Sequence, residues 1–210
     1  MPADDPMYAR AVELLERFGA VSVEHPSGTL LEHLRGTYEQ LDRWGCSKDL
    51  CRAGLYHSVY GTEKFRKRTV PLEARDAVRG AIGEQAEEIA YLYCALSRQS
   101  LYRNLDAGAP YGVKMQDGGE VPLSLAQLAD LMTLDLANRL EQLPRTRRNP
   151  AQIEHDRTVY ERAVPLLPGP AVVEFRGTFP HRSKAEIFAR RLLSRPRRAV
   201  RSIRRRLKRS

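Results

Sequence analysis

The sequence predicts an all-α fold with a small hairpin insertion and a basic C-terminal helix. Three observations lead to this prediction. Apolar residues recur every three or four positions over most of the first 165 residues, which is the spacing of an amphipathic helix. Proline and glycine interrupt that spacing between Tyr102 and Pro122. The arginine-rich C-terminal end again places apolar residues, Val200, Ile203 and Leu207, at helical spacing.

Residues that favour a helix start precede several of the apolar segments. Pro6 follows Asp5, and proline is well tolerated in the first turn of a helix. Ser27, Ser47 and Ser124 have hydroxyls that can accept a hydrogen bond from the first turn. Glycine or proline follows most of these segments and ends them. The predicted helices cover about 6–18, 28–44, 48–60, 72–80, 86–96, 125–143 and 151–163.

Two segments depart from the helical spacing. The first, around Val113–Met115 and Glu120–Val121, predicts a small hairpin that is either the rim of a cleft or a plain surface loop. The second is a proline-rich strap over 166–180, in which 171–175 is predicted to be extended. We therefore divide the chain into a helical domain over 1–165, the strap, and a basic tail over 181–210.

Charge is distributed unevenly along the chain. Residues 181–210 contain 13 lysines and arginines and one acid, a net charge of +12. Because the whole chain carries +9, the first 180 residues carry −3. The protein is thus a mildly acidic body with a strongly basic tail, and its overall pI says nothing about the body.

The composition excludes several classes of protein. No apolar run approaches the roughly 20 residues of a membrane-spanning helix, and the N-terminus is acidic where a secretory signal is basic. Three cysteines without paired spacing predict neither a disulfide framework nor a zinc finger. We expect a cytoplasmic protein, with attachment to the inner face of the membrane if the tail binds lipid.

Three of the five histidines, His25, His33 and His57, lie early in the chain. Gly36 and Gly54 lie about one helical turn from the second and third of them. Glycine in a helix costs about 1 kcal/mol relative to alanine, so each of these glycines needs a packing or functional reason. We expect them to let two helices approach until both imidazoles share one site, or simply to mark an ordinary helix crossing.

The stretch from His33 to Gly61 resembles the opening of the HD superfamily, which is named for adjacent His-Asp metal ligands. In that pattern an apolar run ending in His-Asp follows the first histidine by some two dozen residues, and here His57 follows His33 by 24 positions. Residues 82–90 are similar to the segment after this motif in stringent-response alarmone hydrolases. Leu136–Leu140 is similar to the late helix that supplies the fourth ligand.

The resemblance implies a divalent metal ion, of unknown identity, held by His33 and His57. The two aspartates of the motif are replaced here by Ser58 and Asn138, which are neutral and weaker donors than carboxylates. The Glu-Asp pair of the alarmone hydrolases is replaced by residues 59–63. We therefore do not expect alarmone hydrolysis.

Two residues are candidates to compensate for the lost aspartates. His25 precedes a helix start and is either a third imidazole ligand or a histidine that only caps the helix. Asp135 lies one turn before Asn138 on nearly the same helical face, and is either the missing carboxylate or a salt-bridged acid. Lys64 and Arg66 follow the His57 helix and are either binders of substrate phosphate or part of a basic surface loop.

These residues predict a divergent HD-type metalloprotein that hydrolyses a small phosphorylated or otherwise anionic molecule. The alternative is an HD-like binding or scaffold module that has lost its chemistry and holds no metal. The oxygenase branch of the superfamily ranks last, because the acid that would bridge two metals is not evident. The predicted catalytic residues are Asp135, Lys64 and Arg66, and the predicted metal ligands are His25, His33, His57 and Asn138.

The basic tail predicts a second kind of partner. Over 183–209 a narrow apolar stripe runs through a dense collar of arginines, which is typical of a helix lying on an anionic lipid surface. A disordered, solubilising end and nonspecific nucleic-acid binding are the alternatives. Specific nucleic-acid binding is disfavoured because no aromatic residue follows Phe188 to stack on bases.

Overall fold

The structure, a computed structural model, describes residues 4–25, 28–145 and 150–179. It confirms the all-α class and the hairpin insertion. The helices are α1 (Tyr8–Arg17), α2 (Leu30–Arg43), α3 (Lys48–Tyr56), α4 (Arg75–Ile82), α5 (Glu84–Ala95), α6 (Arg98–Arg103), α7 (Leu125–Gln142), α8 (Pro150–Ala163) and α9 (Gly169–Thr178). The chain divides into the units Met1–Gly177 and Thr178–Ser210. The predicted basic tail, 181–210, lies outside the described residues.

Two short antiparallel pairs of strands accompany the helices. Strands β1 (Glu24–His25) and β2 (Gly28–Thr29) precede α2. Strands β3 (Tyr111–Lys114) and β4 (Glu120–Leu123) form the predicted hairpin between α6 and α7. Asp117 and Gly118 lie in its turn.

Serine is predicted to cap three helices, and the prediction is correct for two of them. Ser47 accepts the Leu50 amide at 3.2 Å and begins α3. Ser124 forms a reciprocal capping box with Gln127 and begins α7. The start of α2 was predicted wrongly, since Thr29 caps it instead of Ser27.

The extended conformation predicted for residues 171–175 is wrong, because these residues belong to α9. Pro170 lies in the first turn of that helix. A residue there needs no backbone N–H donor, so proline is tolerated. Ala171 and Phe175 are one turn apart and are both fully buried. Burial of that face favours a helix over the extended chain that the prolines suggested.

Helix α2 lies at the centre of the fold and packs against α3 and α7. Gly54 on α3 permits the first of these contacts, because a Cβ at this position would lie 2.5 Å from Cδ1 of Leu41. The close approach predicted from Gly54 is therefore present. It brings the side chains of α2 and α3 near enough for direct polar contact.

A buried carboxylate joins α4 to α5. Glu87 accepts two hydrogen bonds from Arg75, at 2.6 and 2.9 Å, and one each from Arg79 and Tyr60. Since the buried charge is paired and fully hydrogen-bonded, its desolvation is compensated. No helix in the described part of the chain is long and apolar enough to cross a membrane.

Candidate functional site

A polar cavity of about 250 Å³ lies where α2, α3 and α7 meet the segment that follows α3. Six of the seven predicted site residues line it: His25, His33, His57, Lys64, Asp135 and Asn138. The seventh, Arg66, lines a neighbouring cavity instead. Ser58, which stands where the HD motif has its aspartate, also lines the first cavity.

His33 and His57 face each other across the contact between α2 and α3. Their Nε2 atoms are 3.0 Å apart, and each residue is 1% exposed. Two imidazole nitrogens bound to one metal ion at about 2.1 Å lie roughly 3 to 3.5 Å apart. The observed separation fits such a pair, and it equally fits an N–H···N hydrogen bond in which the two rings share a proton.

The other nitrogen of each ring is already engaged as a donor. Nδ1 of His57 lies 2.7 Å from the carbonyl oxygen of Gly54, which can only accept, so Nδ1 carries the proton. Nδ1 of His33 contacts the Glu141 carboxylate, which accepts in the same way when ionised. In neutral rings both Nε2 atoms then present lone pairs to each other. Such a pair is stable only with a proton or a metal ion between the two nitrogens.

The two contacts at Nδ1 are those that metal-binding histidines make. A histidine ligand usually donates its second ring N–H to a carboxylate or a backbone carbonyl, which fixes its tautomer. Burial, and next the neighbouring His33, lower the pKa of His57 well below its ordinary value. His57 is therefore neutral at physiological pH and keeps its Nε2 lone pair.

Glu141 is a site residue that the sequence reasoning missed. It lies one turn beyond Asn138 on α7, so the helical spacing that singled out Asn138 was the available signal. Gly36 on α2 makes room for it, because a Cβ there would lie 2.8 Å from Cγ of Glu141. The functional reason expected for Gly36 is thus space for the carboxylate that orients His33.

His25 reaches the site but does not point at the space between His33 and His57. Its ring stacks on the ring of His33, with centroids 4.2 Å apart and an interplanar angle of 7°. Nitrogens of parallel stacked rings do not converge on one point. These contacts favour packing over the ligand role expected for His25.

The two positions that replace the motif aspartates have different surroundings. Ser58 Oγ is buried and has no hydrogen-bond partner among the described residues. An orphaned hydroxyl in a polar cavity indicates that something else occupies its hydrogen bonds. The Asn138 amide, in contrast, donates to Tyr93 Oη at 2.9 Å and accepts from Gln142 at 2.6 Å.

The carboxylate of Asp135 is surrounded by donors. It accepts hydrogen bonds from Tyr93 at 2.9 Å and from Tyr102 and Tyr160 at 2.7 Å, and it pairs with Arg98 at 3.2 Å. Burial alone would raise the pKa of this carboxyl, but Arg98, Arg139 and the tyrosine hydroxyls outweigh it and lower the pKa. Asp135 is therefore an ionised acid that positions neighbours, which differs from the metal-ligand or catalytic role predicted for it.

Three cations line the cavity: Lys64, Arg98 and Arg139. The Arg98 guanidinium lies 3.5 Å over the Tyr93 ring, and its backbone N–H donates to Glu63 at 3.0 Å. Lys64 has no hydrogen bond or ion pair with any described residue, and burial together with the nearby Arg139 lowers its pKa. Glu63 and Asp135 also line the cavity, so three cations stand against two carboxylates and leave a formal excess of one positive charge.

Within residues 4–25, 28–145 and 150–179, no group of three or more histidine, cysteine, aspartate or glutamate side chains is arranged to hold a metal ion. The Nε2 atoms of His33 and His57 meet at the cavity, and Ser58 is another of its lining residues.

A family model described as a domain of unknown function (DUF6817) matches residues 14–98. That span includes His25, His33, His57 and Lys64, whereas α7 with Asp135, Asn138 and Glu141 lies beyond it. Searches of curated proteins and of solved structures found no match.

We predict that Asp135→Asn destabilises the fold by about 3 kcal/mol at neutral pH, because three hydroxyls and Arg98 lose their buried anion. The pKa of Asp135 is lower in the folded protein than its value of 3.8 in the unfolded chain. The stabilisation by its carboxylate is therefore complete above pH 3.8 and is lost as the pH falls through the pKa of the folded state. The difference between wild type and variant in urea unfolding should therefore shrink in acid.

Asp130→Asn on the same helix is the matched control. Burial raises the pKa of Asp130, so removing its charge should leave stability unchanged or slightly higher at neutral pH. Equal unfolding midpoints for the two variants would contradict the role assigned to Asp135.

Proposed function

We propose that this protein is a divergent HD-type metalloprotein that binds a small anionic molecule, such as a phosphate ester, in the central cavity and hydrolyses it. Four positions support the HD assignment. His33, His57, Ser58 and Asn138, which the resemblance aligns with the two histidines and two aspartates, all line one cavity.

The observation that carries the proposal is the pair of facing Nε2 atoms. His33 and His57 would hold the divalent metal through these atoms, with Ser58 Oγ as a neighbouring neutral donor. When bound, such a metal lowers the pKa of a coordinated water and supplies a nucleophile at neutral pH. Glu141 and the Gly54 carbonyl keep both rings in the required tautomer.

The loss of both aspartates favours an anionic ligand. Two neutral imidazoles and a hydroxyl leave the full charge of a divalent cation uncompensated, whereas two carboxylates would cancel it. Lys64, Arg98 and Arg139 add positive charge around the same space. An anionic group on the substrate is the natural counter-charge, and it also supplies oxygen ligands that the protein lacks.

The chain holds its cations in place by separate contacts. Arg98 is fixed by Asp135 and by the carbonyl oxygen of Tyr93, to which its Nη1 donates at 2.9 Å. Glu63 ties the segment that carries Lys64 to the start of α6. The cavity is therefore preorganised for an anion before the ligand arrives.

A second candidate is a non-catalytic binding module with the same cavity. It is favoured by the internal hydrogen bonds that engage Asp135 and Asn138, which leave two histidines as the only inherited ligands. In this alternative the facing imidazoles share a proton, and the cavity binds an anion without turnover.

We predict that full-length protein binds about one equivalent of zinc or manganese, measured by elemental analysis and calorimetry. His33→Ala and His57→Ala should each abolish binding, and Glu141→Ala should weaken it by about 10- to 100-fold because His33 loses its orienting carboxylate. His155→Ala, which removes an exposed histidine of α8, is the control and should bind as wild type does.

Stoichiometric metal together with turnover of phosphate esters supports the hydrolase. Anion binding that needs Lys64, without metal or turnover, supports the binding module. Metal binding that survives His33→Ala and His57→Ala contradicts the proposed site.

We also propose that the basic tail attaches the protein to an anionic membrane surface. The proposal depends on the sequence of 183–209, since these residues lie outside the described part of the chain. A net charge of +12 on 181–210 and the apolar spacing of Val200, Ile203 and Leu207 support it. The body, with a net charge of −3, would be repelled by the same surface, so the tail would act alone.

We predict that the full chain sediments with vesicles containing phosphatidylserine and stays in solution with neutral phosphatidylcholine vesicles. Replacing Arg204, Arg205 and Arg206 by glutamine should weaken binding by at least about tenfold, since each basic residue contributes about 1 kcal/mol. The assignment of the tail to a membrane surface would be contradicted if the chain bound nucleic acid at least about tenfold more tightly than these vesicles at the same salt concentration.

A further inference from the structure

The segment Gly61–Arg68, here called the cationic loop, separates the central cavity from a second one. The second cavity measures about 340 Å³ and is lined by Tyr91 and Gln116 among others. Thr62 lines both cavities, so they adjoin at this residue. Thr62 is therefore the point at which a ligand in the first cavity would come nearest to the second.

The cationic loop distributes its charges between the two cavities. Lys64 lines the central cavity, whereas Arg66 and Arg68 line the second. Lys67 lines neither of them. The order of the residues along the loop therefore places positive charge on both sides of Thr62.

None of these cations is neutralised by the described part of the chain. Lys64, Arg66 and Arg68 form no ion pair or hydrogen bond with its residues, whereas Arg75, Arg79, Arg98 and Arg157 all contact carboxylates. Asp117 also lines the second cavity, but its Oδ1 accepts the Gly119 amide within the hairpin turn. The side chains of Lys64, Arg66 and Arg68 are exposed, so their charges are available to an anion in either cavity.

Local hydrogen bonds hold the cationic loop in this conformation. Gly61 has a positive φ of 83°, and a Cβ there would lie 3.2 Å from the carbonyl oxygen of Arg66. The Thr62 amide donates to the Phe65 carbonyl at 2.7 Å, and Thr62 Oγ1 accepts the Phe65 amide. Thr69 and Val70 then donate to the Val59 carbonyl. The arginines therefore start from a fixed backbone.

We propose that the second cavity is a subsite for the far anionic group of the ligand that occupies the central cavity. The ligand class is then a small molecule with two separated anionic groups, one near Lys64 and one near Arg66 and Arg68. This inference rests on the proposed function, because it takes the central cavity as the site of the first anionic group.

The test is calorimetry on the full-length protein at physiological ionic strength. The probes are linear α,ω-bisphosphonates of increasing chain length and the corresponding alkylphosphonates. We expect an optimal chain length at which the bisphosphonate binds about tenfold tighter than the alkylphosphonate, since a second charge-assisted contact adds roughly this much. An optimum is expected because only one length spans both subsites.

The decisive variant is Arg66→Gln/Arg68→Gln, and its matched control is Lys67→Gln/Arg103→Gln. The control removes two positive charges from exposed positions that line neither cavity. We expect the first variant to remove the preference for the bisphosphonate and to leave alkylphosphonate affinity within about twofold. The control should change neither affinity.

Two outcomes would overturn the subsite: equal affinities for the two probe types in wild type, or a preference that survives Arg66→Gln/Arg68→Gln. The proposed function fails separately. Alkylphosphonate affinity that is insensitive to Lys64→Gln would contradict the anion site in the central cavity, whatever happens at the second one.

Discussion

The contact between α2 and α3 at His33 and His57 is the constraint on which the site depends. It requires Gly54, because any Cβ there would meet Leu41, and it leaves the two Nε2 atoms 3.0 Å apart. Each ring donates from Nδ1 to a fixed acceptor, so two lone pairs face each other in a buried space. A protein interior does not leave such a repulsion uncompensated. Either a proton shared between the rings or a bound metal ion would compensate it.

Two acids of α7 have separate roles around this pair. Asp135 organises the wall of the cavity by accepting three tyrosine hydroxyls and pairing with Arg98. Glu141, which follows Asn138 by one helical turn on α7, contacts Nδ1 of His33 instead. Three cations and the carboxylates of Glu63 and Asp135 line the cavity, which leaves a formal excess of one positive charge. Arg66 and Arg68 of the cationic loop add positive charge at the neighbouring cavity.

The sequence was sufficient where the signal is local. Ser47 and Ser124 cap helices because their hydroxyls lie three residues before a free amide, and Gly54 marked a close helix approach. The sequence was insufficient to predict contacts between residues that lie far apart along the chain. Glu141 meets His33 across 108 positions, and no spacing within one helix predicts which of its faces meets α2. His25 stacks on His33, a contact between rings on different elements that no local spacing predicts. The helix at 169–178 was not predicted, because the prolines around it suggested an extended segment. It forms because Ala171 and Phe175 are buried together on one face.

The central claim is that His33 and His57 both carry their proton on Nδ1 and share a cation through Nε2. Heteronuclear NMR of the imidazole nitrogens tests it in labelled, metal-free protein at a pH well above the ordinary histidine pKa. The account predicts that added zinc shifts both Nε2 resonances and leaves both residues as Nδ1–H tautomers, whereas in metal-free protein the two Nε2 atoms share a proton. His25 and His155 should keep their resonances. An Nε2–H tautomer at either His33 or His57, unchanged by zinc, would contradict the account.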